Sequence, residues 1–183
     1  MLAELRQVHG IVVADLDVAA AVGSGSVELT FRNAGAAGAV FHVYDRLRLD
    51  LPPRRYTVEA GKSLADQWPQ GAHDLWVLGP NGFHRHYVGN ASDSEPTVST
   101  RAEAKGPVLT VTVNNPGAAP LSLAITANEY GLKPATLTVP AGGTAKAQWT
   151  LRSSAGWYDL SVTDPKASGY HRRLAGRIET GKD

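Results

Sequence analysis

Apolar and polar residues alternate along many short segments of the chain, beginning with residues 27–31 and 109–113. A period of two residues is that of a β-strand with one buried face. No window combines the 3.6-residue period of a helix with capping residues, so the pattern predicts an all-β chain. The other predicted strands are 40–44, 56–58, 75–78, 121–125, 137–139 and 158–162, two that end on Trp68 and Trp149, two final His-Arg strands, and a first strand over 11–13 and 18–22.

The same pattern occurs twice. Five blocks recur in one order: 29–37 with 111–119, 57–61 with 138–142, 67–68 with 148–149, 74–77 with 159–162, and 83–86 with 170–173. This order indicates an internal duplication, with domains at 1–95 and 96–183. Each copy holds about seven short strands, and an aromatic residue enters the strand at Trp157, so the sequence predicts two tandem immunoglobulin-like β-sandwich modules.

Composition supports a folded chain and excludes some classes of function. Of the 183 residues, 43% are hydrophobic and 19% charged, and the net charge is only +1. Proteins that bind nucleic acid usually carry a strongly positive surface, so nucleic acid is not an expected partner at this net charge. Lys and Arg number 8 against 11 Asp and Glu in residues 1–95, and 10 against 6 in the rest. There is no cysteine, and no apolar run is long enough for a transmembrane segment. The first residues lack the pattern of a signal peptide.

Three segments of the first copy carry a resemblance to a known family. The segments 41–45, 56–61 and 74–86 resemble the C-terminal repeat of bacterial phosphocholine-specific phospholipases C, a family with acid phosphatase relatives. The second copy differs most at Ser161 and over 163–169. In that family two such modules follow a larger catalytic domain. The resemblance therefore implies a secreted or periplasmic parent hydrolase, with the parent's catalytic domain as partner, and it transfers no catalytic residue to this chain.

The candidate ligand-binding residues lie on the two last strands and on one tryptophan. They are His84, Arg85, His86, His171, Arg172, Arg173 and Trp76. Alternation places His84 and His86 on one face of a strand and Arg85 on the other. The arginines suit a phosphate or lipid headgroup. Two histidines lack the further ligands that a metal needs, so no metal or cofactor is expected. The favoured alternative is a solvent-facing polar surface of an edge strand.

Other residues are expected to play mainly structural parts. Trp68 and Trp149 should pack in the core or at the domain junction, whereas Trp76 and Trp157 could contact a membrane interface. Asp74 and Asp159 should accept hydrogen bonds from turn amides. The Asn and Gly residues at 33–35 and 115–117 predict turns, because both residue types accept positive φ.

Three functions remain open from the sequence. The first is a non-catalytic accessory region of a secreted phospholipase C, which serves stability, substrate access or partner docking. The alternative is an independent module that binds lipid headgroups or glycans, with a phospholipid surface as partner. The third is an enzyme acting alone, which only the pair His84 and His86 supports.

Overall fold

The structure, a computed structural model, describes residues 15–23, 26–69, 71–90, 95–166 and 169–179. All of the regular elements in these ranges are β-strands. The first seven are β1 (Leu16–Gly23), β2 (Ser26–Asn33), β3 (Ala39–Asp45), β4 (Arg54–Val58), β5 (Lys62–Pro69), β6 (His73–Leu78) and β7 (His84–Gly89). The next seven are β8 (Thr97–Glu103), β9 (Val108–Asn114), β10 (Leu121–Ala127), β11 (Ala135–Val139), β12 (Thr144–Thr150), β13 (Trp157–Thr163) and β14 (His171–Arg177).

The strands predicted from alternation are confirmed, with two differences. Residues 11–13, half of the predicted first strand, lie outside the described residues. Strand β8 was not predicted, because only Val98 and Ala102 in Thr97–Glu103 give an apolar face. Its place in a sheet comes from pairing with β9 over the whole strand, which local pattern does not reveal.

Each copy forms a sandwich of two sheets. In the first module the sheet β1-β2-β5 faces β4-β3-β6-β7, and inward side chains such as Phe31, Phe41 and Val77 form one core. In the second module the sheet β8-β9-β12 faces β11-β10-β13-β14, around Val111, Ile125 and their neighbours. The all-β class and the sandwich modules are confirmed. The immunoglobulin-like subtype stays a prediction, with which this division of strands agrees.

The two modules share one sheet. Strand β7 pairs antiparallel with β14, from His84 opposite Ala175 to Val88 opposite His171. The two four-stranded sheets thereby join into an eight-stranded sheet, in the order β11-β10-β13-β14-β7-β6-β3-β4. The prediction of a His-Arg edge strand is therefore wrong. The last strand of each module pairs with that of the other, so both lie in the middle of the sheet.

A buried asparagine braces the same loop in each module. The Nδ2 of Asn33 donates to the carbonyls of Ala37 (2.8 Å) and Val58 (3.0 Å), while its Oδ1 accepts from the amide of Gly35. In the second module the Nδ2 of Asn115 donates to the carbonyls of Ala119, Val139 and Pro140, and its Oδ1 accepts from the amide of Gly117. The predicted turns exist, but positive φ is the wrong reason for them, because neither asparagine has one. The repeated residue is needed for its side-chain amide.

Candidate functional site at the junction of the two modules

The inward face of β7 and β14 carries one arginine from each module, and these two are here called the arginine pair. Arg85 and Arg172 are both 0% exposed. Each follows a histidine that points to the other face, as strand alternation requires. Arginine is almost never fully buried unless it is paired. The contacts of the pair therefore decide what this site does.

Arg85, from the first module, makes three of its four hydrogen bonds to the second module. Its Nη1 donates to the carbonyls of His84 and Ala175, both at 2.9 Å. Its Nη2 donates to the Thr100 hydroxyl at 2.8 Å and to the Tyr158 hydroxyl at 3.1 Å. The Phe83 ring lies beneath the guanidinium, 4.1 Å from centroid to Cζ.

A buried aspartate completes the surroundings of Arg85. Asp17 of β1 lies 3.9 Å from Nη2 of Arg85, and its Oδ1 accepts from the amide (3.1 Å) and hydroxyl (2.7 Å) of Thr100. Burial raises the pKa of Asp17, while the charge of Arg85 and the bonds from Thr100 act in the opposite direction. Asp17, Thr100 and Arg85 thus link three strands of the two modules.

Arg172, from the second module, makes the matching contacts to the first. Its Nη1 donates to the carbonyls of Val88 and His171, and its Nη2 donates to Glu95 at 2.7 Å. The Tyr170 ring lies 4.3 Å from its Cζ. The arrangement is quasi-symmetric. Each arginine donates to the carbonyl of the residue before it and to a carbonyl of the opposite module. Each also packs on the aromatic ring of the residue two positions earlier.

The contacts of the arginine pair leave no guanidinium terminus facing solvent. Both terminal nitrogens of each side chain are hydrogen-bonded within the protein. A phosphate could not reach them without opening the junction. The contacts of Arg85 and Arg172 connect the two modules. Ligand binding by these two residues stays a prediction, which would require the junction to open.

The remaining candidates lie together on the outer face of the shared sheet. The ring of Trp76 lies edge-on to those of His84 and His86, at 5.8 Å from each. The His86 ring lies 5.4 Å from that of His171, across the junction. The structure thus brings His84, His86, His171, Arg173 and Trp76 to one surface, and ligand binding there stays a prediction.

Cross-strand side chains hold this outer surface. Asp74 Oδ1 lies 2.6 Å from Nε2 of His86, and Asp74 also accepts from Arg46 at 3.1 Å. Asp159 accepts two bonds from Arg173, at 2.9 and 2.6 Å. The expectation that these carboxylates bind turn amides is therefore wrong. Their position within strands directs them to neighbouring side chains instead.

The histidines of this surface favour the neutral form. Burial, followed by the charges of Arg173 and His86, lowers the pKa of His84 to about 4. Burial also lowers the pKa of His86, although Asp74 opposes that shift, and it lowers the pKa of His171. Within the described residues, no group of three or more His, Cys, Asp or Glu side chains is placed to hold a metal ion.

The tryptophans divide into two pairs. Trp68 and Trp149 are buried in the cores of the first and second modules, as expected. Trp157 is half-buried, stacked on Tyr130 with ring centroids 6.1 Å apart. A Cβ added to Gly82 would lie 3.0 Å from the Trp157 ring, so Trp157 packs closely against the β6–β7 turn of the other module.

Sequence reasoning missed four residues of the junction. Asp17, Glu95, Thr100 and Tyr158 supply the buried partners of the arginine pair. One signal was available: the block 83–86 recurs at 170–173 as aromatic, His and Arg. A repeated arginine at an inward strand position indicates a repeated buried partner. The partners lie far away in sequence, and Thr100, Tyr158 and Glu95 lie in the module opposite their arginine, so they cannot be read locally.

The fold and the junction together define a class of protein: a paired β-sandwich unit. The model of the family described as bacterial phospholipase C, C-terminal domain, matches the chain twice, at residues 12–90 and 96–177. The chain belongs to this family and contains two copies of its domain in tandem. The duplication inferred from the five blocks is thereby confirmed.

Curated relatives carry the same region within longer proteins. Non-hemolytic phospholipases C from Pseudomonas aeruginosa and Burkholderia pseudomallei are 39% and 38% identical over 87% of this chain. The hemolytic phospholipase C of Pseudomonas aeruginosa is 34% identical over 99% of it. The chain spans only 25%, 24% and 28% of these relatives. The described residues contain no helix with the length and apolar character for crossing a membrane.

Proposed function

We propose that this chain is the non-catalytic accessory region of a bacterial phospholipase C, acting as one rigid two-module unit beside a catalytic domain. The observation that carries the proposal is the junction. A continuous eight-stranded sheet and the buried arginine pair fix the modules to each other. A fixed pair presents one extended surface, which suits docking to a larger domain more than independent capture of small ligands.

The extent of the family relationship supports the same proposal. The matched region is about a quarter of each relative, and the family is named for a C-terminal domain. The parent would then hydrolyse phospholipid through residues outside this chain. As in the resemblance noted from the sequence, the proposed location of that parent is secreted or periplasmic.

The outer surface gives little support to catalysis by this chain alone. General acid–base work by His84 and His86 needs a nucleophile or a second titrating partner near a bound substrate. Asp74 lies 2.6 Å from His86, but the pKa of His84 is lowered to about 4, which makes it a weak base. The Ser161 hydroxyl lies 3.0 Å from Nε2 of His171 but donates its proton to Oδ1 of Asn128, so His171 is not placed to activate it. These contacts describe a fixed polar surface.

The direct test removes the region from the full-length parent. Deletion of residues 1–183 is expected to reduce solubility, secretion and hydrolysis of phosphatidylcholine vesicles. A matched variant, Arg85→Met with Arg172→Met, keeps the chain but disturbs the junction, and should share these losses in part. Unchanged solubility, secretion and lipid hydrolysis after deletion would contradict the proposal.

A second assay addresses catalysis by the isolated chain. The expected result is no turnover of a chromogenic phosphocholine ester. Turnover that disappears in His84→Ala or His86→Ala would contradict the non-catalytic part of the proposal.

A further inference from the structure

The loop between β3 and β4 exposes three leucines, which lie at every second position of the sequence. Leu47, Leu49 and Leu51 are 57%, 66% and 49% exposed. Single exposed apolar residues are common on protein surfaces and need no explanation. Three on one short loop, here called the leucine loop (residues 46–53), form a concentrated apolar tip.

The leucine loop is held in shape by its own hydrogen bonds. The amide of Leu47 donates to Oδ1 of Asp45 at 3.0 Å. The amide of Arg48 donates to the carbonyl of Asp45, and that of Leu51 to the carbonyl of Arg48. These turns order the backbone of the loop, which lowers the cost of ordering that backbone at binding.

Arginines surround the apolar tip. Four of the eight Lys and Arg residues in 1–95 lie within 46–55, although this half of the chain is acidic overall. Arg46 and Arg54 are fixed over the rings of Trp76 and Trp68, at 4.4 and 4.0 Å. Arg48 is half exposed and pairs with Asp45, and Arg55 is exposed.

A groove extends the apolar surface beside the loop. Its volume is about 260 Å³, and its walls include Leu47, Trp68, Pro69 and Leu75. Arg48 lies at the same groove. Asp45 and His73 also line the groove, so its surface is only partly apolar. The exposed leucines with arginines beside them match the interface of a bilayer, where leucines enter the acyl layer and arginines meet phosphates.

We propose that the leucine loop is a membrane-binding surface, which inserts Leu47, Leu49 and Leu51 into a phospholipid bilayer while Arg48 and Arg55 contact lipid phosphates. Residues 46–55 hold four arginines and one acidic residue, Asp50. Three of these arginines also pair with Asp45, Asp66 and Asp74, so the remaining positive charge gives only a moderate preference for bilayers that contain anionic lipid. This surface is separate from the histidine surface of the shared sheet. The proposal concerns the isolated chain, so it can fail while the accessory role stands, and the reverse is also possible.

The experiment is co-sedimentation of the full 183-residue chain with two kinds of vesicle, phosphatidylcholine alone and phosphatidylcholine with phosphatidylglycerol. Binding is expected to both, more strongly to the anionic vesicles, and to weaken with added salt. Leu47→Ser with Leu49→Ser should weaken binding at least about tenfold, because two apolar side chains no longer enter the bilayer. Arg48→Gln with Arg55→Gln should weaken binding severalfold on anionic vesicles and less on phosphatidylcholine alone.

The matched control replaces two exposed apolar residues elsewhere. Val40 and Leu78 lie on strands of the shared sheet and are 49% and 39% exposed. The double variant Val40→Ser with Leu78→Ser should leave vesicle binding unchanged. Circular dichroism confirms that each variant is folded. No sedimentation with either vesicle, or equal loss in the leucine and control variants, overturns the proposal. A second measurement tests whether the parent's catalytic domain associates with the leucine variant. If the variant still binds vesicles but no longer associates with the catalytic domain, the loop serves a protein contact and the proposal is overturned.

Discussion

The two modules are alike where they meet and different where they face outward. At the junction each contributes an aromatic, a histidine and a buried arginine in the same order, with matching hydrogen bonds. At the loop after the third strand, the first module exposes three leucines, whereas the second buries Leu132 and stacks Tyr130 on Trp157. The duplicated chain retained the residues that join its copies, and its outer loops diverged.

The largest effect on stability is expected when the two buried arginines are replaced one at a time. Arg85→Met and Arg172→Met should each lower the free energy of unfolding by about 3–5 kcal/mol, because each removes the buried positive charge that lies beside Asp17 or Glu95. Denaturant unfolding measures both. Arg55→Met, at an exposed arginine, should change stability by no more than about 0.5 kcal/mol. A small effect at one arginine alone would show that the two halves of the junction are not equivalent.

The loops offer a sharper contrast. Leu132→Ser in the second module should cost about 1.5–3 kcal/mol, the value of burying a leucine side chain. Leu49→Ser, at the most exposed leucine of the first-module loop, should cost no more than about 0.5 kcal/mol. Thermal unfolding distinguishes them, and a large loss from Leu49→Ser would mean that the leucine loop serves stability.

The repeated asparagines should behave alike. Asn33→Ala and Asn115→Ala each remove an amide that pairs with buried carbonyls, at an expected cost of about 1–3 kcal/mol. Asn114→Ala changes the exposed neighbour of Asn115 and should be nearly neutral. If Asn33→Ala matched that control in urea denaturation, the shared bracing of the loops would be disproved.

Acid should weaken the junction through its histidines. Because the pKa of His84 is about 4 in the folded chain against 6.5 ordinarily, the unfolded state takes up the proton first. The contribution of neutral His84 to the free energy of unfolding is fully present above pH 6.5 and is lost as the pH falls towards 4. With solvent screening, His84 accounts for about 1–2 kcal/mol. His84→Asn should reduce the loss measured between these pH values more than His171→Asn does. If stability fell equally with pH in the unmodified chain, in His84→Asn and in His171→Asn, His84 would not be the group responsible.

Local pattern predicted much of this fold, since alternation depends only on which face of a strand is buried. It placed Arg85 opposite His84 and His86, which the structure confirms. It could not predict that β7 and β14 pair, because pairing between distant strands leaves no local period. For the same reason, local pattern gives no sign that the side chain of Arg85 contacts Thr100 and Tyr158 of the other module. The buried role of Asp17 also depends on that distant contact.

We expect the two modules to unfold as one cooperative unit, because the shared sheet and the arginine pair join them. Nuclear magnetic resonance can follow the indole N–H signals of Trp68 and Trp149, one in each core, through a denaturant titration. A single unit predicts that both native signals vanish at the same midpoint and that Arg85→Met shifts both together. Two separate midpoints, with Arg85→Met shifting only the Trp68 signal, would contradict the account.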